Sequence, residues 1–259
     1  MLHSVPRAAA LVAAAVLAAA APSAVPAGEP PIQAQAGTLG VLPAHPGEAP
    51  RPFDATYSVA WHGIGAGTST LRLERTAAAD EYLYTSTIRA SGLFRLVFPH
   101  PVRQSSRFRV AGGQVIPLAF ESSGAGESAI VQFDWKFNQV TGTAKGKLLD
   151  RPLHEGTQDP LSVQIALMLA LEAGQPPDSF WMLDTDEIEQ FEYVRRGTAT
   201  LDTPLGMLPT VIYTSHAHGS DRTTWLWLAP ALDYMPARAE QRVKGDTQLS
   251  MKIRAFTRR

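Results

Sequence analysis

From residue 53 onward the chain alternates apolar and polar positions in short runs, the period-two signature of strands with one face in a core and one in water. Across residues 130–138, Val131, Phe133, Trp135 and Phe137 share one face, opposite Gln132, Asp134, Lys136 and Asn138. Across 248–255, Leu249, Met251, Ile253 and Ala255 oppose Gln248, Ser250, Lys252 and Arg254. Weaker versions recur at 54–61, 68–75, 81–91, 102–110, 115–122, 187–201, 207–216, 222–228 and 235–243. The pattern predicts about eleven strands.

The gaps between runs are short and carry Gly, Asp, Asn or Pro, as in Ala111-Gly112-Gly113, Gly219-Ser220-Asp221 and Lys244-Gly245-Asp246. Such gaps suit antiparallel hairpins, whereas parallel crossovers need about a dozen residues. One interval departs from this. Residues 157–174 predict a helix with Asp159 as N-cap, Pro160 at its first position and Gly174 as a left-handed stop. Apolar side chains surround its axis and Glu172 is its single charge, so little of it faces water. The expected fold is mainly β: a strongly curved antiparallel meander, an open or closed barrel, wrapped around one apolar helix.

The first 52 residues belong to no such pattern. A short segment bearing Arg7 precedes an unbroken apolar run from Ala8 to Ala21, the form of a secretory signal. A bilayer span needs about twenty strongly apolar residues, which makes a retained anchor the weaker alternative. Residues 1–27 are read as a signal peptide cleaved after Ala27, with Ala20 or Ala21 as competing sites. Residues 28–52, broken by six prolines, are read as a disordered tail, and residues 53–259 as one domain. The chain has no cysteine, so it has neither a lipobox nor disulfides and must rely on a buried core. The expected location is the periplasm, with no stable membrane span after cleavage. Lys plus Arg number 23 against 24 for Asp plus Glu, a balance that disfavours nucleic acid as a partner.

No catalytic cluster emerges. There is no Gly-x-Ser-x-Gly elbow, and Asp159 at the strand-to-helix junction is already committed to capping. His216 and His218, two apart on a strand, are weak metal candidates, with Asp221, His154 or His62 as a conceivable third ligand. The glycines from Gly63 to Gly67 read as a hairpin and not a phosphate loop, because no helix follows. Arg103, Arg107 and Arg109 form a same-face row that could meet an anionic headgroup or glycan, with a solvated strand face as the default reading. More informative is the strand holding Trp225 and Trp227 on one face and Leu226 and Leu228 on the other: it is apolar on both sides, so one side needs a second layer or a ligand. Trp135, Phe137, Trp225 and Trp227 are therefore the candidate ligand-binding side chains, lining a cavity in the curved sheet unless the helix fills it.

Several segments together resemble a secreted bacterial family, domain of unknown function 3108. They are Ala55-Thr56-Tyr57-Ser58-Val59, Asp159-Pro160-Leu161-Ser162, Thr203-Pro204-Leu205-Gly206, Thr224-Trp225-Leu226-Trp227-Leu228 and Tyr234-Met235-Pro236-Ala237-Arg238. The resemblance implies a Gram-negative periplasmic setting and a β-rich, barrel-like fold, and supplies no catalytic residues. The leading expectation is a non-enzymatic envelope protein without cofactor that binds a lipid or other amphipathic small molecule. A scaffold that recruits an envelope protein, and a metal-dependent hydrolase of envelope material using His216 and His218, are the alternatives.

Overall fold

The computed structural model describes residues 49–78, 80–124 and 128–259. Residues 1–27, read as a signal peptide, and residues 28–48 of the expected tail lie outside the described residues. Fourteen strands follow one another: β1 (Phe53–Trp61), β2 (Ile64–Arg75), β3 (Glu81–Ala90), β4 (Val102–Ala111), β5 (Gln114–Ser123), β6 (Ala129–Asp134), β7 (Gln139–Ala144) and β8 (Lys147–Pro152) form the first series. The second comprises β9 (Ser179–Asp184), β10 (Glu187–Thr203), β11 (Gly206–Ala217), β12 (Arg222–Ala229), β13 (Met235–Val243) and β14 (Asp246–Arg258). A four-residue helix α1 (Phe94–Val97) interrupts the β3–β4 connection, and α2 (Ser162–Glu172) joins the two series.

All fourteen strands form one antiparallel sheet in the order β8-β7-β6-β5-β4-β3-β2-β1-β14-β13-β12-β11-β10-β9. Each series is an uninterrupted meander, and the first and last strands meet at the centre, where Phe53 pairs with Arg258 and Trp61 with Leu249. The eleven predicted runs are all strands, and β7, β8 and β9 are added to them. The predicted run over 130–138 is shorter than expected: β6 ends at Asp134, whose Oδ1 accepts from the backbone N–H of Lys136 (3.0 Å) and Phe137 (3.1 Å) and turns the chain. The Gly63–Gly67 segment is a hairpin, with His62 (φ 45°) and Gly63 (φ 78°) supplying the left-handed pair that a tight two-residue turn needs.

The sheet does not close into a barrel. Its edges are β8 and β9, and among the described residues no ladder joins them. It bends far enough, however, for the segment between β8 and α2 to touch both series. Gln158 exchanges backbone hydrogen bonds with Trp181 and Leu183 of β9 (2.8 and 2.9 Å), while its Nε2 donates to the Val115 carbonyl of β5 (2.9 Å).

α2 lies in the resulting hollow. Nine of its eleven residues are buried, which follows from the absence of a polar stripe. The Asp159 carboxylate accepts from the backbone N–H of Leu161 (2.8 Å) and Ser162 (2.9 Å), as expected of a cap, and Gly174 (φ 68°) ends the helix. Ser106 of β4 donates to the same carboxylate at 2.5 Å, pinning the helix start to the sheet. Leu167 and Ile165 of α2, Tyr57, Tyr84 and Phe108 of the first series and Leu226 and Leu228 of the second belong to one continuous core.

Candidate functional site

The two-sided apolar strand proves to be β12. Thr224, Leu226 and Leu228 point into the core, and Trp225 and Trp227 point out of the sheet. Two outward indoles need a cover, and the neighbouring strand provides it by the same period of two: Arg238, Glu240 and Arg242 occupy the outer face of β13. The register sets Trp225 opposite Glu240 and Trp227 opposite Arg238. The two rings stack with centroids 6.1 Å apart. Each carries a guanidinium above it, Arg238 on Trp227 and Arg242 on Trp225, both 4.6 Å from the ring centroid.

Glu240 locks the two cations together. Its carboxylate accepts from Arg242 Nη2 (2.6 Å) and Nε (3.0 Å) and from Arg238 Nη2. Only 2% of Glu240 is exposed. Burial alone raises the pKa of this carboxyl, but hydrogen bonds and charge from Arg242 and Arg238 outweigh it and hold the group below its ordinary value. On the adjoining strand Arg196 Nε donates to Thr214 Oγ1 (2.9 Å), and Thr214 pairs with Trp225. The outer face of β12–β13 thus presents two arginines around one carboxylate, on an aromatic base, with Arg196 of β10 held beside it by Thr214 of β11. The groups it offers to a contact are guanidinium N–H groups and the half-buried ring of Trp225.

The other candidate side chains lie apart from this cluster. Trp135 sits in the β6–β7 turn, where its Nε1 donates to the Pro117 carbonyl (2.6 Å) and its ring stacks on Phe133. Phe137 occupies the same turn and is 69% exposed, so it does not line the core-facing side of β6. His216 Nε2 is 3.6 Å from Glu192 Oε2, His154 stacks on Trp181 at 3.9 Å, and Asp221 faces Lys244 at 3.8 Å. Among the described residues no three metal-ligating side chains come together. Arg107 pairs with Glu81 at 3.6 Å.

Two buried carboxyls stand out from the surface ones. Burial pushes Asp159 up to about 6, against hydrogen bonds from Ser106 and from the Ser162 and Leu161 N–H groups. Burial and the charge of Glu189 push Asp184, at the end of β9, up to about 7, against Arg222, Thr185 and Lys145. Asp159 is committed to the helix and Asp184 to the β9–β10 turn; neither has a nucleophile beside it among its hydrogen-bond partners beyond Ser106, Ser162 and Thr185.

The sequence singled out Trp225 and Trp227 as lining a cavity in the curved sheet; both instead point out of the sheet, beneath Arg238 and Arg242, which with Glu240 were not singled out. The Arg-x-Glu-x-Arg spacing was a usable signal, since residues two apart on a strand share a face.

A family model described as "Protein of unknown function (DUF3108)" matches residues 56–253. Comparison with curated proteins gives no match. Among solved structures, a "putative exported protein with YmcC-like fold" from Bacteroides fragilis is 12% identical. That alignment covers 83% of this chain and 100% of the other, with a TM-score of 0.37. A "putative lipoprotein" from Parabacteroides distasonis is 9% identical, covering 82% of this chain and 97% of the other, with a TM-score of 0.32.

Proposed function

This chain belongs to the domain of unknown function 3108 family, and from that premise we propose that it is an exported, non-catalytic envelope protein that works through its outer surface as a recognition and scaffold module. The observation that carries the reading is the burial of α2 on nearly every side within the hollow of the sheet. A carrier for an apolar guest needs that space. Here Ile165 and Leu167 occupy it at no more than 1% exposure. A shallow hollow of about 620 Å³, lined by Ile130, Thr141, Leu148 and Asp150 among others, opens on the outer face of β6–β8 instead. Export is supported by the apolar run from Ala8 to Ala21 behind Arg7.

Native mass spectrometry of the protein purified from the periplasm tests the reading. The expected spectrum is that of a ligand-free chain shortened at its amino terminus, with no uptake of a fluorescent fatty acid. Crosslinking in cells is expected to capture a discrete envelope component at surface positions. A lipid that copurifies stoichiometrically and is lost on enlarging Ala166 to Phe would place the ligand inside and overturn the proposal.

A further inference from the structure

In an antiparallel meander every second connection opens at the same end of the strands. One such end, the loop edge, carries the β1–β2, β3–β4, β5–β6 and β7–β8 connections of the first series, and the β9–β10, β11–β12 and β13–β14 connections of the second. The two halves of this edge differ in chemistry. Of nine large apolar side chains that are exposed among the described residues, six lie at the first-series half: Ile64, Leu93, Leu96, Val97, Ile130 and Leu148. The second-series half has none of the nine and carries Asp186, Asp246 and the Asp221–Lys244 pair.

The most prominent feature of the apolar half is the loop from Ser91 to Pro101. Leu93 is 80%, Leu96 81% and Val97 55% exposed, all within or next to α1. The loop is nonetheless anchored. Ser91 N–H donates to the Ala66 carbonyl (2.9 Å), Phe98 N–H closes the turn on Phe94 (2.8 Å), and both phenylalanines are half-buried. At Gly124 a side chain would strike the Pro101 carbonyl and the Val102 backbone, so the β5–β6 connection presses against the loop's base.

Basic residues ring this tip. Arg95 is on α1, Arg89 ends the outer face of β3, and Arg103 begins that of β4; all three are exposed. Lys145 and Lys147 stand at the β7–β8 turn. Among the described residues no ion pair to a carboxylate is seen for Arg89, Arg95 or Arg103, and Glu121 stands two positions down β5 from Ser123, the partner of Arg103. Water disfavours a rigid projection of three aliphatic side chains, and an anionic headgroup layer over acyl chains accommodates both the chains and the cations around them. A negatively charged surface would at the same time repel the aspartates on the other half of the edge, which fixes an orientation.

We propose that the Leu93–Val97 tip is a membrane-contact element. It dips Leu93, Leu96 and Val97 into an anionic lipid surface while Arg89, Arg95 and Arg103 meet the phosphates. The inference goes beyond the surface-module reading by naming one partner, and it rests on export only for the setting in which the partner is met.

The test is flotation of the exported, purified chain with vesicles of phosphatidylcholine alone or with one third phosphatidylglycerol. Binding is expected with the anionic vesicles, with loss at high salt. The double substitution Leu93→Ser and Leu96→Ser is expected to weaken it about tenfold or more without changing the thermal midpoint, because both side chains are in water in the free protein. Arg89→Gln with Arg103→Gln is expected to reduce binding at low salt. Equal binding to both vesicle types, no binding to either, or an unchanged leucine variant would each overturn the proposal. Capture of a protein partner through Leu93 and Leu96 without vesicle binding would likewise reassign the tip. Because flotation reads the rim and mass spectrometry reads the interior, a lipid-filled interior with vesicle binding intact refutes only the sealed-core reading.

Discussion

Glu240 is the side chain on which the outer face of β13 turns. Its carboxylate separates two guanidinium groups that would otherwise repel one another above the stacked indoles. Glu240→Gln removes the charge while keeping the shape, and the cost is expected near 2 kcal/mol, the lower side of what breaking a buried pair costs because both arginines are partly solvated. A urea midpoint that falls with the slope unchanged is the corresponding measurement; an unchanged midpoint would mean that the arginines already have sufficient water. The two buried aspartates act in the opposite direction. Folded Asp159 titrates at about 6 and folded Asp184 at about 7, both above the ordinary value of 3.8. The folded chain therefore retains protons that the unfolded chain has released, and stability declines as pH rises from about 4 through about 7. Glu240, held below its ordinary 4.5, contributes stability that is lost only as pH falls through its lowered pKa. The thermal midpoint is expected to rise from about pH 7.5 to about pH 5 and to drop at lower pH. Asp184→Asn is expected to flatten the upper limb and to gain about 2 kcal/mol at neutral pH; a less stable variant would show that the ionised carboxyl is needed by Arg222. That Trp225 and Trp227 share a face was legible from parity alone; that it is the outer face was not, because β12 is apolar on both sides and parity does not say which side meets the core. Nor was their pairing with Arg238 and Glu240, since the register of β13 on β12 is shifted by a bulge after Trp227 and by the left-handed pair Asp233 and Tyr234.

At the scale of elements, α2 was legible and three strands were not, for reasons that lie in their environments. A helix apolar all round and capped at both ends admits one placement, inside the sheet. Ile165→Ala should leave a cavity with no side chain free to collapse into it, costing about 2–4 kcal/mol in a denaturation experiment. The missed strands break the alternation that identified the others. β9 is a continuous apolar stretch, Phe180-Trp181-Met182-Leu183, paired along one side with β10 and along the other with Gln158 ahead of α2. β8 is an edge strand with one buried side chain, Leu149. β7 has Gly142 in mid-strand, at φ 148°, where an added Cβ would run into the Ile130 carbonyl. That close approach makes Gly142→Ala a local probe of the β6–β8 corner. It is expected to destabilise by at least about 2 kcal/mol and to speed amide exchange in β7 and β8 before β1 and β14. The outward-facing loop at Leu93 escaped the sequence reading for a related cause: its apolar residues look like core until the sheet shows that nothing covers them.

At the scale of the molecule, the curved sheet and central helix were legible, and the openness of the sheet was not, since closure depends on accumulated twist and not on any one segment. The arrangement of the chain ends has a consequence for folding. β1 and β14 are neighbours at the middle of the sheet, and Arg259 Nε reaches Asp54 Oδ2 (2.5 Å) across 205 residues of sequence. Neither series alone completes the core: without β14, β1 and β13 become two new edges flanked by apolar side chains, and Leu249, Met251 and Ile253 are lost from the interior. Pairing so distant in sequence is slow, because the whole loop must be closed before the contact stabilises anything. A chain ending at Lys244 should therefore fail as a unit instead of losing one strand. It is expected to accumulate as a compact, dye-binding, aggregation-prone species, with helical and strand circular dichroism partly kept and the near-ultraviolet tryptophan signal lost. Supplying residues 245–259 in trans should restore that signal if the centre is the last seam to close. A truncated chain that unfolds cooperatively on its own would instead show that the first series is self-sufficient and that β14 is an accessory.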